Sequence, residues 1–458
     1  MVLLGLLEAS PSPVYGAALL MRFGSQAHPG FKSPSLRCTT GTPYRLFPQF
    51  AVAGPPRRTV AGGGRRVLSA ASPSVPGMRL LHTSDWHLGR SLHRADLRAD
   101  QAGFVDHLVE TVRSERVDVV AVAGDVYDRA VPPVDAVDLC DSALTRLRDA
   151  GARVVVISGN HDSARRLGVN ASLVDASGVH LRTRADRCAE PLVLGGVSIF
   201  AVPYLEPDAV RGVLPADPAG AADEPRGHAG VLGRALACAR AALTTPVSVV
   251  LAHAWVGAGL PSDSERDISV GGVGAVPASL FDGFTYTALG HLHGPQVLAP
   301  GLRYSGSPLA YSFSEAGHTK GSWLVELTGS GLGAIEHVPA PVPRRLSSLT
   351  GALDELLASP AHRDREGDWL SVVLTDPVRP EDPMTRLRSR FPHVLVLEWA
   401  PSGVVVDARS YGARVRGRDD RAVSGEFVRH VRHSDATDDE RALFAEAFEA
   451  GRLAAASR

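Results

Sequence analysis

The 458-residue sequence predicts an α/β fold, and three observations carry that prediction. From Met78 onward, apolar runs of strand length alternate with segments whose apolar residues recur at helical spacing. Several of those runs are Val-rich and almost uninterrupted, which suits strands covered on both faces. The residues with distinctive chemistry then follow the runs directly, where open α/β sheets present their ligands.

Length and charge set the frame. A chain this long exceeds one compact core and predicts two or three domains. With 44% hydrophobic and 21% charged residues it reads as a soluble globular protein. The cysteines, Cys38, Cys140, Cys188 and Cys238, are scattered without a C-x-x-C pair. That spacing argues against a disulfide framework or a thiolate zinc site and suits a reducing cytosol. Residues 1–77 carry eight Lys/Arg against one acid, Glu8, while the remainder carries 40 basic and 48 acidic residues. An acidic body excludes a protein that grips nucleic acid by bulk charge. Any DNA contact needs a local basic patch, bound cations or a partner.

The leader, residues 1–77, is rich in Pro, Gly, Ser, Ala and Arg and has neither helical nor strand period, which predicts disorder. Its apolar opening is too short for a membrane span, and no signal-peptide layout is present. Met78 stands immediately before the first strand, so a mis-assigned start is the preferred reading.

From there the elements come in order. Residues 79–83 read as a strand. Residues 102–116 read as a helix, with Phe104, Val105, Leu108, Val109 and Val112 on one face. Residues 117–122 form a Val-rich strand, 136–150 a second helix and 153–157 another buried strand. Residues 192–202 read as strands around Gly195-Gly196, 208–230 as loop, 231–243 as helix and 247–252 as strand.

Five polar groups close these strands. Asp85 and His87 share one face of an extended segment, because residues i and i+2 point the same way. Taken alone, that pair is equally a polar strand end. Asp125 follows Gly124 and can offer two oxygens to two cations, or can cap a turn. Asn160, in Ser158-Gly159-Asn160-His161-Asp162, offers a neutral amide oxygen, or opens an Asx turn. His253 ends its strand. His291 and His293 repeat the i, i+2 spacing after Gly290. His161 neighbours Asn160 and points elsewhere, toward whatever the metal holds.

The joint order D-x-H, G-D, G-N-H-D, H, G-H-x-H over residues 80–293 resembles the calcineurin-like metallophosphoesterase superfamily. Residues 262–266, 269–272 and 276–281 are similar to the SbcD family within it, and so are 158–166, 290–296 and 304–309. The resemblance implies a metallophosphoesterase β-sandwich flanked by helices, with a small α+β capping domain and C-terminal helices. It implies one cation held by Asp85, His87, His293 and a shared Asp125, and a second held by Asp125, Asn160, His253 and His291. Mn²⁺ is the cation the family uses, and mixed N/O ligation suits it without excluding Fe²⁺ or Zn²⁺. His161 matches the catalytic histidine. Asp128 stands where archaeal and eukaryotic relatives carry a second histidine, and so is left out of the catalytic set. The resemblance further implies a nuclease subunit acting on DNA ends and hairpins in the cytoplasm at the nucleoid, without a membrane. Its partner would be an SbcC-type coiled-coil ATPase, with the chain a homodimer inside a heterotetramer. A small-molecule phosphodiesterase or phosphatase on the same scaffold is the alternative.

The remaining boundaries follow. Residues 78–338 are expected to form the phosphoesterase domain. Three prolines in 339–343 mark a linker. Residues 339–405 then read as the capping domain, in the order helix (346–357), strand (369–375), helix (384–391), strand (394–399). Residues 406–458 read as a linker, over 407–422, and partner-binding helices. Thr437 is placed to cap the last helix, ahead of Asp438, Asp439 and Glu440, and Leu443, Phe444 and Phe448 share one face.

Overall fold

Runs of buried Val, Leu and Ile form the framework of the molecule. The computed structural model describes residues 77–220, 225–269, 274–401, 417–432 and 435–456. The leader up to residue 76 and most of the expected linker at 407–422 lie outside the described residues.

The first half builds one sheet. It comprises β1 (Met78–Thr83), the hairpin β2 (Ser91–Leu92) and β3 (Ala95–Asp96), α1 (Arg98–Glu115), β4 (Val119–Ala123), α2 (Val134–Asp149) and β5 (Arg153–Ile157). The short helices α3 (Ala164–Leu167) and α4 (Ala171–Val174) lead to β6 (Val179–Arg182). Every residue of β4 is buried, as its sequence VVAVA requires of a central strand. The predicted apolar face of α1 packs with Leu81, Val120, Val122 and α2. Arg116 ends α1 in a left-handed conformation, φ 51°, returning its N–H to the Val112 carbonyl.

The second half repeats the plan. β7 (Leu192–Leu194) and β8 (Val197–Val202) form the hairpin expected at Gly195-Gly196, followed by α5 (Pro207–Val210), α6 (Gly227–Ala241), β9 (Val247–His253) and β10 (Tyr286–Gly290). Then come β11 (Gln296–Ala299), β12 (Leu302–Tyr304), β13 (Gly321–Thr328) and β14 (Gly331–Pro339). The strands assemble into two six-stranded sheets, ordered β14-β13-β1-β4-β5-β6 and β11-β12-β10-β9-β8-β7. In the first, β1, β4, β5 and β6 run parallel and antiparallel pairing adds β13 and β14 on one side; in the second, β8, β9, β10 and β12 run parallel, with β7 and β11 antiparallel at the two edges. Leu80, Val119, Val155 and Ile157 of one sheet pack against Ile199, Val249, Leu251 and Tyr286 of the other, so the chain is a β-sandwich with helices outside.

A smaller sheet follows: β15 (Leu346–Gly351), α7 (Leu353–Ala358), β16 (Trp369–Leu374), α8 (Pro383–Arg390) and β17 (Val394–Trp399), with all three strands parallel. Here the reading of 346–357 as one helix is corrected. Its first half pairs with β16 in register Leu346↔Trp369 to Gly351↔Leu374, and only its second half is helical. Two further boundaries move. α6 begins at Gly227 inside the expected loop, held by His228, whose Nε2 meets the Ile268 carbonyl at 2.7 Å. Residues 420–422 are not linker but the opening turn of α9 (Asp420–Arg432), which precedes α10 (Asp438–Ala456). Thr437 does cap α10: its Oγ1 accepts from the Glu440 N–H at 3.3 Å, and Glu440 Oε2 accepts from the Thr437 N–H at 2.8 Å. No described helix is long and apolar enough to cross a membrane.

Candidate metal centre

Five strand ends deliver the polar residues. Asp85 and His87 follow β1, Asp125 follows β4, Asn160 and His161 follow β5, His253 ends β9, and His291 and His293 follow β10. All seven expected ligand residues and His161 meet in one place. His87 Nε2 lies 3.0 Å from His293 Nε2 and 3.6 Å from Asp125 Oδ2. His253 Nε2 lies 3.5 Å from that same oxygen and 2.9 Å from Asn160 Oδ1, while His291 Nδ1 is 3.2 Å from Asn160 Oδ1. Asp85 groups once with His87 and His293 and once with Asp125 and His253, the ligand atoms of each trio lying within 4.8 Å of one another. Asp125 therefore sits between two clusters, where one carboxylate can face two cations.

The backbone is strained to achieve this. Asp85, His87, Asp125 and His291 have positive φ values of 53°, 45°, 49° and 109°. Left-handed backbone at a non-glycine residue costs on the order of 1 kcal/mol and persists where the surroundings enforce it. Gly124 supplies part of that enforcement. Its φ is +90°, and a Cβ there would stand 2.5 Å from His253 Nδ1.

The electrostatics fit cations as well. Burial, and then the neighbouring Asp125 charge, push Asp85 well above the usual carboxylate range. Burial lifts Asp125 to about 6 against the pull of His161. Burial lowers His253 to about 4 and holds His87 and His291 well below their ordinary value, leaving neutral imidazoles with free lone pairs. His253 Nδ1 faces the Ala123 carbonyl at 2.9 Å and so carries the proton, which turns the Nε2 lone pair toward Asn160 Oδ1. In that orientation the two acceptors stand side by side, as a shared cation would use them. His87 Nδ1 and Asn160 Nδ2 are buried without a hydrogen-bond partner. The donor set thus fits divalent metals with mixed N/O preference.

Residues 78–205 match the model of the calcineurin-like phosphoesterases. The chain therefore carries a calcineurin-like phosphoesterase domain over those residues. Residues 342–432 match a second model, the type 5 capsule protein repressor C-terminal domain (SbcD_C), as the sequence resemblance to SbcD implies. Among solved structures the chain is similar to TT1561 of Thermus thermophilus, with 14% identity over 57% of this chain and 98% of that one, TM-score 0.32. It is similar to GAP50, the anchor in the inner membrane complex of Plasmodium, with 10% identity over 71% and 98% and TM-score 0.31. A dimetal phosphatase from Danio rerio shares 12% identity over 58% and 99%, TM-score 0.31.

Around this centre, residues without an assigned role in the sequence act as braces. The Asp162 carboxylate accepts the backbone N–H groups of Val126, Tyr127 and Gly159 at 3.1, 2.9 and 2.9 Å, locking the loops after β4 and β5 together. Asp128 contributes its backbone: His161 Nδ1 lies 2.7 Å from the Asp128 carbonyl, so Nδ1 is the protonated nitrogen and Nε2 stays free. The Asp128 carboxylate lies 3.7 Å from the guanidinium of Arg90, which also donates to the Ser264 carbonyl at 2.7 Å and stacks on Tyr311. Asp162 and Asp128 stand inside the quoted motifs, so their proximity was visible, but not which atoms they would use.

Proposed function

We propose that this chain is the nuclease subunit of a DNA end-processing complex. It would act as an exonuclease on double-stranded ends and an endonuclease on single-stranded or hairpin DNA, with an SbcC-type ATPase, in the cytoplasm. The observation that carries this reading is the conjunction of a seven-residue N/O ligand set with a downstream segment matching SbcD_C. Asp85, His87, Asp125 and His293 would hold one divalent cation, and Asp125, Asn160, His253 and His291 the other, with Mn²⁺ favoured by the resemblance. Cations held by these residues would supply Lewis-acid activation of a water and neutralisation of charge on the phosphodiester.

The chain's own residues do the rest. Asp125 orients His161 by accepting its backbone N–H at 2.8 Å. The Asp128 carbonyl fixes the His161 tautomer, so the free Nε2 meets the phosphate or the leaving oxygen. Nε2 would take up the proton that the attacking water releases and hand it to that oxygen as the bond breaks. Arg90 and Arg266 provide positive charge near the centre; Arg266 donates to the Asn160 carbonyl at 3.4 Å. These are the local cations that an acidic body needs to receive a DNA backbone. α9 and α10 expose Phe427, Val431 and Leu443, apolar residues suited to a helical partner.

The test follows digestion of linear duplex DNA with Mn²⁺, with and without the ATPase and ATP, beside a soluble phosphodiester. DNA digestion enhanced by the partner supports the proposal. Turnover of the small ester with inert DNA overturns it in favour of a small-molecule phosphodiesterase. His161→Ala should retain bound metal and lose roughly 100-fold or more in turnover, and normal turnover would remove the assigned role.

A further inference from the structure

Two stretches that the ligand set leaves unused, residues 262–266 and 304–309, converge behind His293. Ser264 Oγ lies 2.5 Å from His293 Nδ1 and donates to Glu315 Oε1 at 2.5 Å. A hydroxyl has one hydrogen, and here the carboxylate takes it. The remaining contact must run the other way, with His293 Nδ1–H donating to Ser264 Oγ. The His293 Nε2 lone pair is then left facing His87 Nε2.

The same network clamps the backbone of His293. Its N–H is accepted by Glu265 Oε1 at 2.7 Å, and its carbonyl accepts from Lys320 Nζ at 2.7 Å and from the Ser307 N–H at 3.1 Å. Lys320 Nζ returns to Glu315 Oε2 at 2.5 Å and to Ser307 Oγ at 3.0 Å, closing the loop. Ser264, Glu315 and Lys320 are all buried. An internal ion pair of this kind adds little stability over an apolar filling, so its use here lies in fixing geometry. The contrast with neighbouring ligands is informative: His253 is backed by a backbone carbonyl and His87 Nδ1 has no hydrogen-bond partner.

We propose that Ser264 and Glu315, anchored by Lys320, are positioning residues that fix His293 as its Nδ1–H tautomer and so set the affinity of one of the two metal sites. This rests on the proposed reading of the metal centre. Outer partners of metal-bound histidines are worth about 10–100-fold in metal affinity.

The experiment titrates Mn²⁺ into the full chain by calorimetry and reads imidazole ¹⁵N shifts in the metal-free protein. Ser264→Ala and Glu315→Gln should each weaken one site by about 10–100-fold and leave the other unchanged. Ser264→Thr, which keeps the hydroxyl, should recover most of the affinity. The wild-type His293 signal should show the proton on Nδ1, and Ser264→Ala should show mixed tautomers. If Glu315→Gln fails to fold, the Ser264 variants and the wild-type tautomer decide. Wild-type affinity and tautomer in Ser264→Ala would overturn the relay. The control is His293→Ala. If it removes one site while the relay variants do nothing, the relay alone falls. If it leaves both sites intact, the reading of the metal centre falls with it.

Discussion

Asp125 shows what the centre costs in the absence of cations. It is buried beside Asp85, its pKa is raised from 3.8 to about 6, and its Oδ2 faces His87 and His253. A carboxylate whose folded pKa is raised destabilises the folded state once ionised. The penalty grows from the unfolded pKa and is fully present above about pH 6. Asp125→Asn keeps the oxygen that accepts the His161 N–H and removes the charge. At pH 7.5 it should stabilise the metal-free chain by on the order of 2 kcal/mol, an advantage that shrinks as pH falls below 6. Mn²⁺ should raise the melting temperature of the wild type, and the same variant should lose that rise. Thermal scans with EDTA and with Mn²⁺ at pH 5 and 7.5 check both; a metal-free variant less stable than wild type at pH 7.5 would contradict the electrostatic account. Candidate ligands of this kind were legible in the sequence because each group stands directly after a buried apolar run. The shared face expected of an extended i, i+2 pair is not what unites them, since Asp85 and His87 lie past the end of β1 in left-handed backbone. Ser264, Glu315 and Lys320 were not legible, because their partners lie on distant segments and no periodicity links them.

Among the elements, the ends of β4 and β10 approach each other more closely than side chains permit. A Cβ on Gly290 would stand 1.9 Å from the Ala123 carbonyl and 2.9 Å from His253 Nδ1. Gly290→Ala must therefore push apart the loops carrying Asp125 and His291, costing about 1–3 kcal/mol and most of the metal binding. Gly103, exposed in α1, has nothing within 4 Å of its would-be Cβ. There alanine should stabilise by roughly 0.5–1 kcal/mol through helix propensity alone. Opposite shifts in denaturation midpoint, with metal stoichiometry lost only at position 290, test whether close approach builds the site. The helices and strands of the sandwich were legible because each buries a face whose period is written locally. β15 was not: Leu346, Leu349, Leu353 and Leu356 also suit a helix, and only the parallel pairing with β16 makes the first half a strand. Tertiary pairing overrides local spacing in short apolar segments.

At the scale of the molecule, the sandwich and the small parallel sheet meet, among the described residues, through a modest apolar cluster. Leu92, Leu97, Leu309 and Tyr311 from the sandwich pack against half-buried Leu346, Trp369 and Leu395. Beside it a cavity of about 400 Å³ is lined by Leu97, Leu309, Pro343, Arg344 and Trp369. The small sheet has its own core, with Leu349, Leu353, Leu370, Val372, Phe391 and Val394 buried together. Two cores joined by a thin seam can unfold as one only while the seam holds. Trp369 is the largest side chain in that seam and carries the Arg344 guanidinium over its ring at 5.9 Å. Trp369→Ala should cost roughly 2 kcal/mol while leaving the metal ligands in place. It should also divide a single calorimetric transition into two, the smaller one belonging to residues 346–399. Mn²⁺ should then raise only the larger transition, since all the candidate ligands lie in the sandwich. One cooperative transition in the variant, still shifted as a whole by metal, would mean that contacts outside this cluster couple the two sheets.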